Sequence, residues 1–574
     1  MVREFDALVP KLMKGAEVPG AVIVAVHDRK VLFRKGYGYA DVSSGRGMDP
    51  DHTALRIASV SKTATAVLVM QLVGEGRIGL DDDVAQLLGS IRIENPFPKP
   101  VTVRELLTHT AGLDKLEVGR LTRAGSPPIS LEAYLRDNTP PVVRPPGEVF
   151  SYSNHGYALA GEIVARKQGM SFPEAARKYL FEPLGMESST FEITPEVVRR
   201  IATGYRSRDG RYEAVPLDLV NTIPASMMVT TGDDFGKFLQ FLIGESGARG
   251  VLPAELLQAM ERVEFKNHPA LASGYGYGFF VEEGVGGDWV WHTGDMDGWF
   301  AEVDLYPSQG FGIFMGFNSD GGEEVATELR KRFQSRLNFA RRPVESASAF
   351  ARSDLQPLCG TWVYINEPVA SSGRIQGLFD DGHSVTAEDG RLRFDGDDYK
   401  EIAPHLFQAV NNPYSLLAFR PRGMGGLYAT TGIRTYRRLR WYDQPHFHRI
   451  VLLLSVLSLL TILGRAVSLL RARSDRAYKV RWGLAAIVFA LFLAFLIGFA
   501  AISPSAPVRY GLPTSLRLTL LIGACASALS CLLPVMCLWQ WRDFRTRLER
   551  FHYILFFTGA LALALELLHW GQIG

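Results

Sequence analysis

Three short stretches of the 574-residue chain hold residue types at spacings that can do chemistry. The first is Ala58-Ser59-Val60-Ser61-Lys62-Thr63-Ala64, opening an apolar helix that runs to Val73 ahead of Gly74 and Gly76. Residues three apart share a helix face, so the Ser59 hydroxyl and the Lys62 amine can meet. At a helix N-terminus, backbone N–H groups and the dipole favour a developing negative charge, and burial would depress the Lys62 pKa toward a value useful for proton transfer. The competing reading is an N-cap serine beside a solvated lysine. The second stretch, Pro146-Gly147-Glu148-Val149-Phe150-Ser151-Tyr152-Ser153-Asn154-His155-Gly156-Tyr157, is a Pro-Gly turn leading into a polar trio ahead of a helix expected to start near Tyr157. A phenol held near a cationic amine can ionise or share its proton, which makes Tyr152 a candidate general base. The alternative is a buried tyrosine satisfied by a backbone partner. The third is Trp291-His292-Thr293-Gly294, at the end of an apolar strand and followed by Asp295-Met296-Asp297. Glycine there lets the strand approach a ligand closely, and a strand N–H at that point can stabilise an oxyanion.

These stretches need elements to bring them together. Ala21 to Val26 and Val31 to Tyr37 read as a strand pair, and a long helix follows Ile57. Trp289 to His292, Ala301 to Tyr306 and Phe311 to Phe317 read as consecutive strands, with a helix at Gly322 to Leu337. Strands from both ends and helices between them predict an α/β fold: one antiparallel sheet flanked by helices, beside a helical region. From Leu358 to Leu439 short apolar runs (Thr361 to Ile365, Arg391 to Phe394, Leu406 to Val410, Leu416 to Phe419) separated by Gly, Asp and Asn predict a small all-β domain. It reads equally as a substrate-side cap, a spacer or pure packing. The expected domains are 1–345, 354–440 and 448–574.

Composition narrows the function class. With 62 Lys plus Arg against 60 Asp plus Glu the net charge is +2, which excludes a general electrostatic nucleic-acid binder. The cysteines Cys359, Cys525, Cys531 and Cys537 form neither a disulfide framework nor a metal-ligand spacing. Beyond residue 450 four apolar stretches, about 450–470, 482–502, 516–539 and 551–570, are each long enough to cross a bilayer. Arg471, Arg473, Arg476, Lys479 and Arg481 join the first two, and Arg542, Arg545, Arg547 and Arg550 the last two, whereas Ser503 to Ser515 carries only Arg509. The positive-inside rule then places the first and third loops in the cytoplasm and the large N-terminal region outside, although Arg434, Arg437, Arg438 and Arg440 pull the other way. Export needs a signal, and Met1 to Gly20 holds no long apolar segment; a removed leader and a cytoplasmic domain both stay open. Arg465, Glu566 and His569 are ionisable groups at membrane depth or near its edge, and Pro534 is expected to kink the third span.

Taken together, the three motifs occur in the order and at the approximate separations of the serine β-lactamase and penicillin-binding-protein superfamily. The chain resembles the branch with tyrosine in the second motif: class C β-lactamases, family VIII esterases and D-aminopeptidase-like enzymes. Leu106-Leu107-Thr108-His109-Thr110-Ala111-Gly112-Leu113, Pro183-Leu184-Gly185-Met186 and Gly36-Tyr37-Gly38-Tyr39-Ala40-Asp41 match it further, so that about residues 5 to 340 are covered. The resemblance implies that Ser59 is acylated, that Lys62 and Tyr152 share the general-base role, and that Asn154 binds a substrate amide or orients Lys62. It implies an oxyanion hole made by the N–H groups of Ser59 and Asp295, a substrate edge at His292, Thr293 and Gly294, and no metal or organic cofactor. Histidine stands at 292 where antibiotic-hydrolysing members carry lysine, which argues against efficient β-lactamase activity. Asp295 and Asp297 disfavour anionic substrates and could pair with a cationic amine, or they are solvated loop carboxylates.

The expected function is a membrane-anchored serine hydrolase acting on a small peptide, amide or ester, with the bilayer as partner and a transporter or other membrane protein as a further candidate. An exported catalytic domain followed by C-terminal spans also resembles membrane peptidases that remove an acyl-D-amino-acid cap from exported prodrugs. A penicillin-binding sensor signalling acylation through its spans, a carboxylesterase or weak β-lactamase, and an inactive scaffold are the alternatives.

Overall fold

The structure, a computed structural model, describes residues 2–244, 250–344, 353–423, 425–465, 476–501 and 508–573. Most of the expected linker (345–352), Arg471 and Arg473 of the first basic loop, and positions 466–470 and 502–507 lie outside the described residues. The chain forms two compact units, one of Met1–Leu113, Leu121–Leu358 and Thr386–Arg437, the other of Asp114–Arg120, Cys359–Val385 and Arg438–Gly574.

In the first unit, the strands β1 (Gly20–His27), β2 (Lys30–Asp41), β3 (Arg46–Gly47), β4 (Ser273–Tyr275), β5 (Phe280–Glu282), β6 (Trp289–Met296), β7 (Trp299–Tyr306) and β8 (Phe311–Phe317) make one antiparallel sheet in the order β4-β5-β6-β7-β8-β1-β2-β3. The apolar run of β1 follows from its central place, because both faces of the sheet are covered. Side chains alternate across a strand, so Val22, Val24 and Val26 enter one core while Ala21, Ile23 and Ala25 enter the other. On the second face lie α1 (Val2–Gly15) and α5 (Gly322–Arg336), through Phe5, Val9, Leu329 and Phe333. The first face carries α2 (Ser61–Gly74), α3 (Asn154–Gln168) and α4 (Gly232–Leu242). Eleven residues of α2 are buried with no polar stripe between them, as expected of a helix enclosed on all sides.

The all-β region is a closed barrel of eight antiparallel strands. They are β9 (Gly360–Tyr364), β10 (His383–Glu388), β11 (Arg391–Phe394), β12 (Asp397–Ala403), β13 (Leu406–Ala409), β14 (Leu416–Pro421), β15 (Leu427–Thr431) and β16 (Arg434–Arg438). In β11 the pattern is one out, one in: Leu392 and Phe394 are buried and Arg391 and Arg393 exposed. Asp389-Gly390 and Asp395-Gly396 close two-residue turns with positive φ at both positions (48° and 71°, 51° and 86°), the geometry that matches the twist of a hairpin.

Four helices of the second unit are long and apolar enough to cross a membrane: Pro445–Arg465, Arg476–Ala501, Thr514–Trp539 and Arg547–His569. Along them run α6 (Pro445–Leu460), α7 (Arg476–Ala501), α8 (Thr514–Ser530), α9 (Leu532–Trp539) and α10 (Arg547–His569). Leu454, Ile497, Leu521 and Leu565 stay 59–65% exposed on their outer faces, the surface a lipid solvent covers. The third span breaks at Cys531, beside Pro534, whose missing N–H and bulky ring disrupt the helix ladder just before it. One expectation is corrected here. Arg476, Lys479 and Arg481 belong to α7, and Arg547 and Arg550 to α10, rather than to loops; Arg481 is fully buried, paired with Glu549 at 2.9 Å and with Gln540 at 3.0 Å. The expected intramembrane charges are paired too: Glu566 binds His448 (2.9 Å) and the Trp570 indole (3.0 Å), His569 stacks on His448, and the Arg465 guanidinium meets His552 at 3.1 Å.

Candidate active site

Ser59 lies in a one-turn 3₁₀ segment, Ala58–Val60, that leads directly into α2. The turn before it is tight enough to force Ala58 to φ 45°, a left-handed value that costs a non-glycine residue about 1 kcal/mol or more. Lys62 sits in the first turn of α2, fully buried, and its Nζ faces three acceptors: Ser59 Oγ at 3.0 Å, Asn154 Oδ1 at 2.7 Å and the Ala225 carbonyl at 3.0 Å. The expected spacing along one helix face is therefore realised as a contact, and Asn154 orients the amine. The helix after the second motif starts three residues earlier than expected, at Asn154, because Ser153 caps it by accepting from the Gly156 N–H at 3.1 Å. That cap fixes Tyr152 just outside the helix, with its phenol hydrogen-bonded to Ser59. The Lys62 ammonium lies 4.8 Å from the centre of the Tyr152 ring. Burial raises the Tyr152 pKa, and the Ser59 hydrogen bond offsets only part of that rise. Of the two states read from sequence, the resting site therefore holds the neutral phenol.

His109, in the Leu106–Leu113 stretch, holds the Tyr152 loop in place. Its carbonyl accepts from the Ser151 N–H (2.7 Å), its Nδ1 accepts from the Ser153 N–H (3.1 Å), and its ring lies 4.3 Å from that of Tyr152. Both backbone neighbours of Tyr152 thus hang from one residue, itself at φ 57°. Burial holds the His109 imidazole well below its ordinary pKa, and the Lys62 charge adds to this, so it serves as a neutral acceptor. No sequence spacing links 109 to 152; the contact comes from the fold.

The strand β6 forms the facing edge. His292 is buried, and burial, with the Lys62 charge behind it, pushes its pKa down to about 3. Its Nδ1–H donates to the Thr293 carbonyl at 2.6 Å, and Nε2, also buried, has no hydrogen-bond partner among the described residues. Strand alternation sends the Thr293 side chain to the other face of the sheet, so only its backbone belongs to this edge. Gly294 is where the strand touches the serine turn. A Cβ there would run into the Ile57 carbonyl and come within 3.0 Å of the Ser59 nitrogen, so only glycine lets β6 lie this close. Asp295 has its pKa raised by desolvation and by Asp320, Glu323 and Asp297 around it, while Asp297 is paired with Arg206 at 2.7 Å. The structure thus brings Ser59, Lys62, Tyr152, Asn154, His292 and Gly294 to one place. It leaves Asp297 on an ion pair instead of open to a ligand amine.

A hydroxyl within hydrogen-bond reach of both an amine and a phenol, opposite a strand edge, is an arrangement for acyl transfer. The chain belongs to the Beta-lactamase family, whose model matches residues 5–335. It is 26% identical over 326 residues to Protein flp of Staphylococcus aureus (strain N315), covering 54% of this chain and 62% of that protein's length. It is 28% identical over 369 residues to Penicillin-binding protein 4 of Amycolatopsis lactamdurans, covering 60% of this chain and 93% of the relative. The crystal structure of SurE superposes with a TM-score of 0.56 at 25% identity, over 76% of this chain and 98% of that one. The fold is that of a β-lactamase-family serine hydrolase.

Proposed function

We propose that this chain is a membrane-anchored serine hydrolase that works through an acyl-enzyme on Ser59. One observation carries this reading: Lys62 Nζ lies 3.0 Å from Ser59 Oγ while the Tyr152 phenol bonds the same hydroxyl. Once the Lys62 and Tyr152 pair has given up one proton to solvent, Ser59 Oγ attacks the carbonyl carbon and its own proton passes to that pair. The tetrahedral oxyanion is held by the N–H groups of Ser59 and Asp295. As the C–N or C–O bond breaks, the same pair returns the proton to the leaving amine or alcohol, and water repeats the path to free Ser59. The Gly294 contact supports this placing of the oxyanion hole, since it seats the end of β6 against the Ser59 nitrogen.

For the substrate, the neutral, buried His292 supplies no cation to clamp a carboxylate, which supports an uncharged peptide, amide or ester edge over an anionic one. A small peptide, amide or ester, with a D-amino-acid peptide as the leading class, fits this edge better than a β-lactam acid. The lipid bilayer is the partner of the four apolar helices, and the basic loops favour the catalytic domain facing outside.

Intact mass measurement after exposure to a fluorophosphonate should give one adduct per chain, lost in Ser59→Ala; equal labelling of that variant would remove the assignment. Burst kinetics with an activated ester separates turnover from sensing, since a stoichiometric acyl-enzyme that never releases product belongs to a sensor. Protease treatment of intact cells should cut the catalytic domain, and its protection would reverse the topology.

A further inference from the structure

We propose that the β15–β16 hairpin of the barrel is a wall of the substrate site, that Ile433 at its tip sets the size of the acyl group accepted, and that Asn267 is the positioning residue that holds it there. This rests on the acyl-enzyme reading above. The hairpin closes with Thr431 opposite Arg434, so Gly432 and Ile433 are the two turn residues. Gly432, at φ 69°, supplies the positive φ that the first turn position needs. A β-branched apolar residue at the second is out of keeping with turn chemistry, which favours Gly, Asn, Asp or Ser, unless the tip packs on something. Ile433 does: it lies on the aromatic cluster of Phe150, Tyr275 and Phe280, against which Tyr152 and Trp291 also pack. Phe280 in turn is 5.3 Å from the His292 ring and stacked on Tyr152 at 6.5 Å, so Ile433 shares its support with both sides of the candidate site. Phe150, Tyr275 and Phe280 are buried, whereas Ser59, Tyr152 and Ile433 each keep part of their surface open.

The contact is built, not incidental. Asn267, 3% exposed, accepts from the Phe150 N–H through Oδ1 at 3.1 Å and donates through Nδ2 to the carbonyls of Gly432 and Ile433, each at 3.2 Å. A backbone N–H on one side and two carbonyls on the other fix the orientation of the amide, and no other side chain of that length supplies both an acceptor and two donors there. Two residues earlier, the Glu148 carbonyl accepts from the Arg420 guanidinium and its carboxylate from the Gly423 N–H, both from the end of β14. The segment Glu148–Phe150, which leads straight into Tyr152, is thus held at three points by or through the barrel. An acyl chain esterified to Ser59 Oγ and directed past Tyr152 would run toward Ile433, which packs on the same aromatic cluster.

The test uses the full chain in detergent and a series of p-nitrophenyl esters from acetyl through butyryl to benzoyl, with kcat and KM measured for wild type and for Ile433→Val, Ile433→Ala and Ile433→Trp. The benzoyl-to-acetyl ratio of kcat/KM is expected to rise about tenfold in Ile433→Ala, to rise less in Ile433→Val and to fall about tenfold in Ile433→Trp, the scale of discrimination that one or a few methylenes give in an apolar pocket. A ratio constant within twofold across the series overturns the proposal. Asn267→Ala is expected to copy the change seen in Ile433→Ala, mainly in KM, with part of it restored in Asn267→Gln. An equal loss for every ester would show a merely structural amide and overturn its positioning role. Fluorophosphonate labelling of the wild type keeps the two readings apart. No adduct on Ser59 sinks the hydrolase itself, whereas an adduct with an unmoved ester ratio sinks only the wall.

Discussion

Two buried imidazoles give the site a pH dependence whose sign follows from their environment. His292 has a folded-state pKa of about 3 against an ordinary 6.5, and His109 is shifted in the same direction. Above pH ~6.5 neither the folded nor the unfolded state binds these protons, so there is no cost. As pH falls through that value the unfolded chain takes up protons that the folded site refuses, and stability drops progressively. Thermal midpoints measured from pH 7.5 to 5 should therefore fall, and His292→Asn should make the fall shallower; identical slopes would contradict buried neutral imidazoles. At this scale the sequence was legible where partners are local. Ser59 and Lys62 are one helical turn apart, and their contact could be written down from spacing alone. His109, Asn267 and the Ala225 carbonyl were not legible, because their roles arise where distant loops converge, and a carbonyl leaves no mark in the side-chain code. Asp295 and Asp297 could be seen as acids, but not that Arg206 takes one of them.

Among the elements, β6 does its work by proximity. Gly294→Ala adds one carbon where the Ile57 carbonyl already lies, so the strand must withdraw from the Ser59 turn. Acylation of Ser59 by the fluorophosphonate is expected to slow by about a hundredfold or more, the cost of losing an oxyanion donor, with the protein still folded. A rate within threefold of wild type would show that the strand edge is not part of the hole. The sheet was readable because β1, β7 and β8 are nearly continuous apolar runs, which only a strand covered on both faces can afford. The closed barrel was not: β10 (His383–Glu388), β12 (Asp397–Ala403) and β16 (Arg434–Arg438) carry polar and charged residues on their outer faces. In so short a strand only two or three inward residues are left to reveal the period.

Over the whole molecule, the second unit buries a charged pair near the starts of two apolar helices, α7 and α10. Arg481 and Glu549 are 0% and 3% exposed in their side chains. Removing one partner strands the other, so Arg481→Met should cost about 3–5 kcal/mol in the detergent-solubilised protein, while Arg481→Met with Glu549→Leu should recover most of it. A double variant no more stable than the single one would mean that the bundle needs the charges themselves. Arg481 was misread from sequence because loop charges were counted by proximity to a hydrophobic stretch, and only packing shows that this one turns inward to Glu549. The sheet of the first unit has its own reach along the chain: Ala21 of β1 lies opposite Phe317 of β8. A ribosome must release Phe317 before the central pair can close, so the nascent domain stays threadable until its last strand arrives. A chain cut short of that point carries the sticky run Ala21–Val26 with the edge that β8 would pair left open.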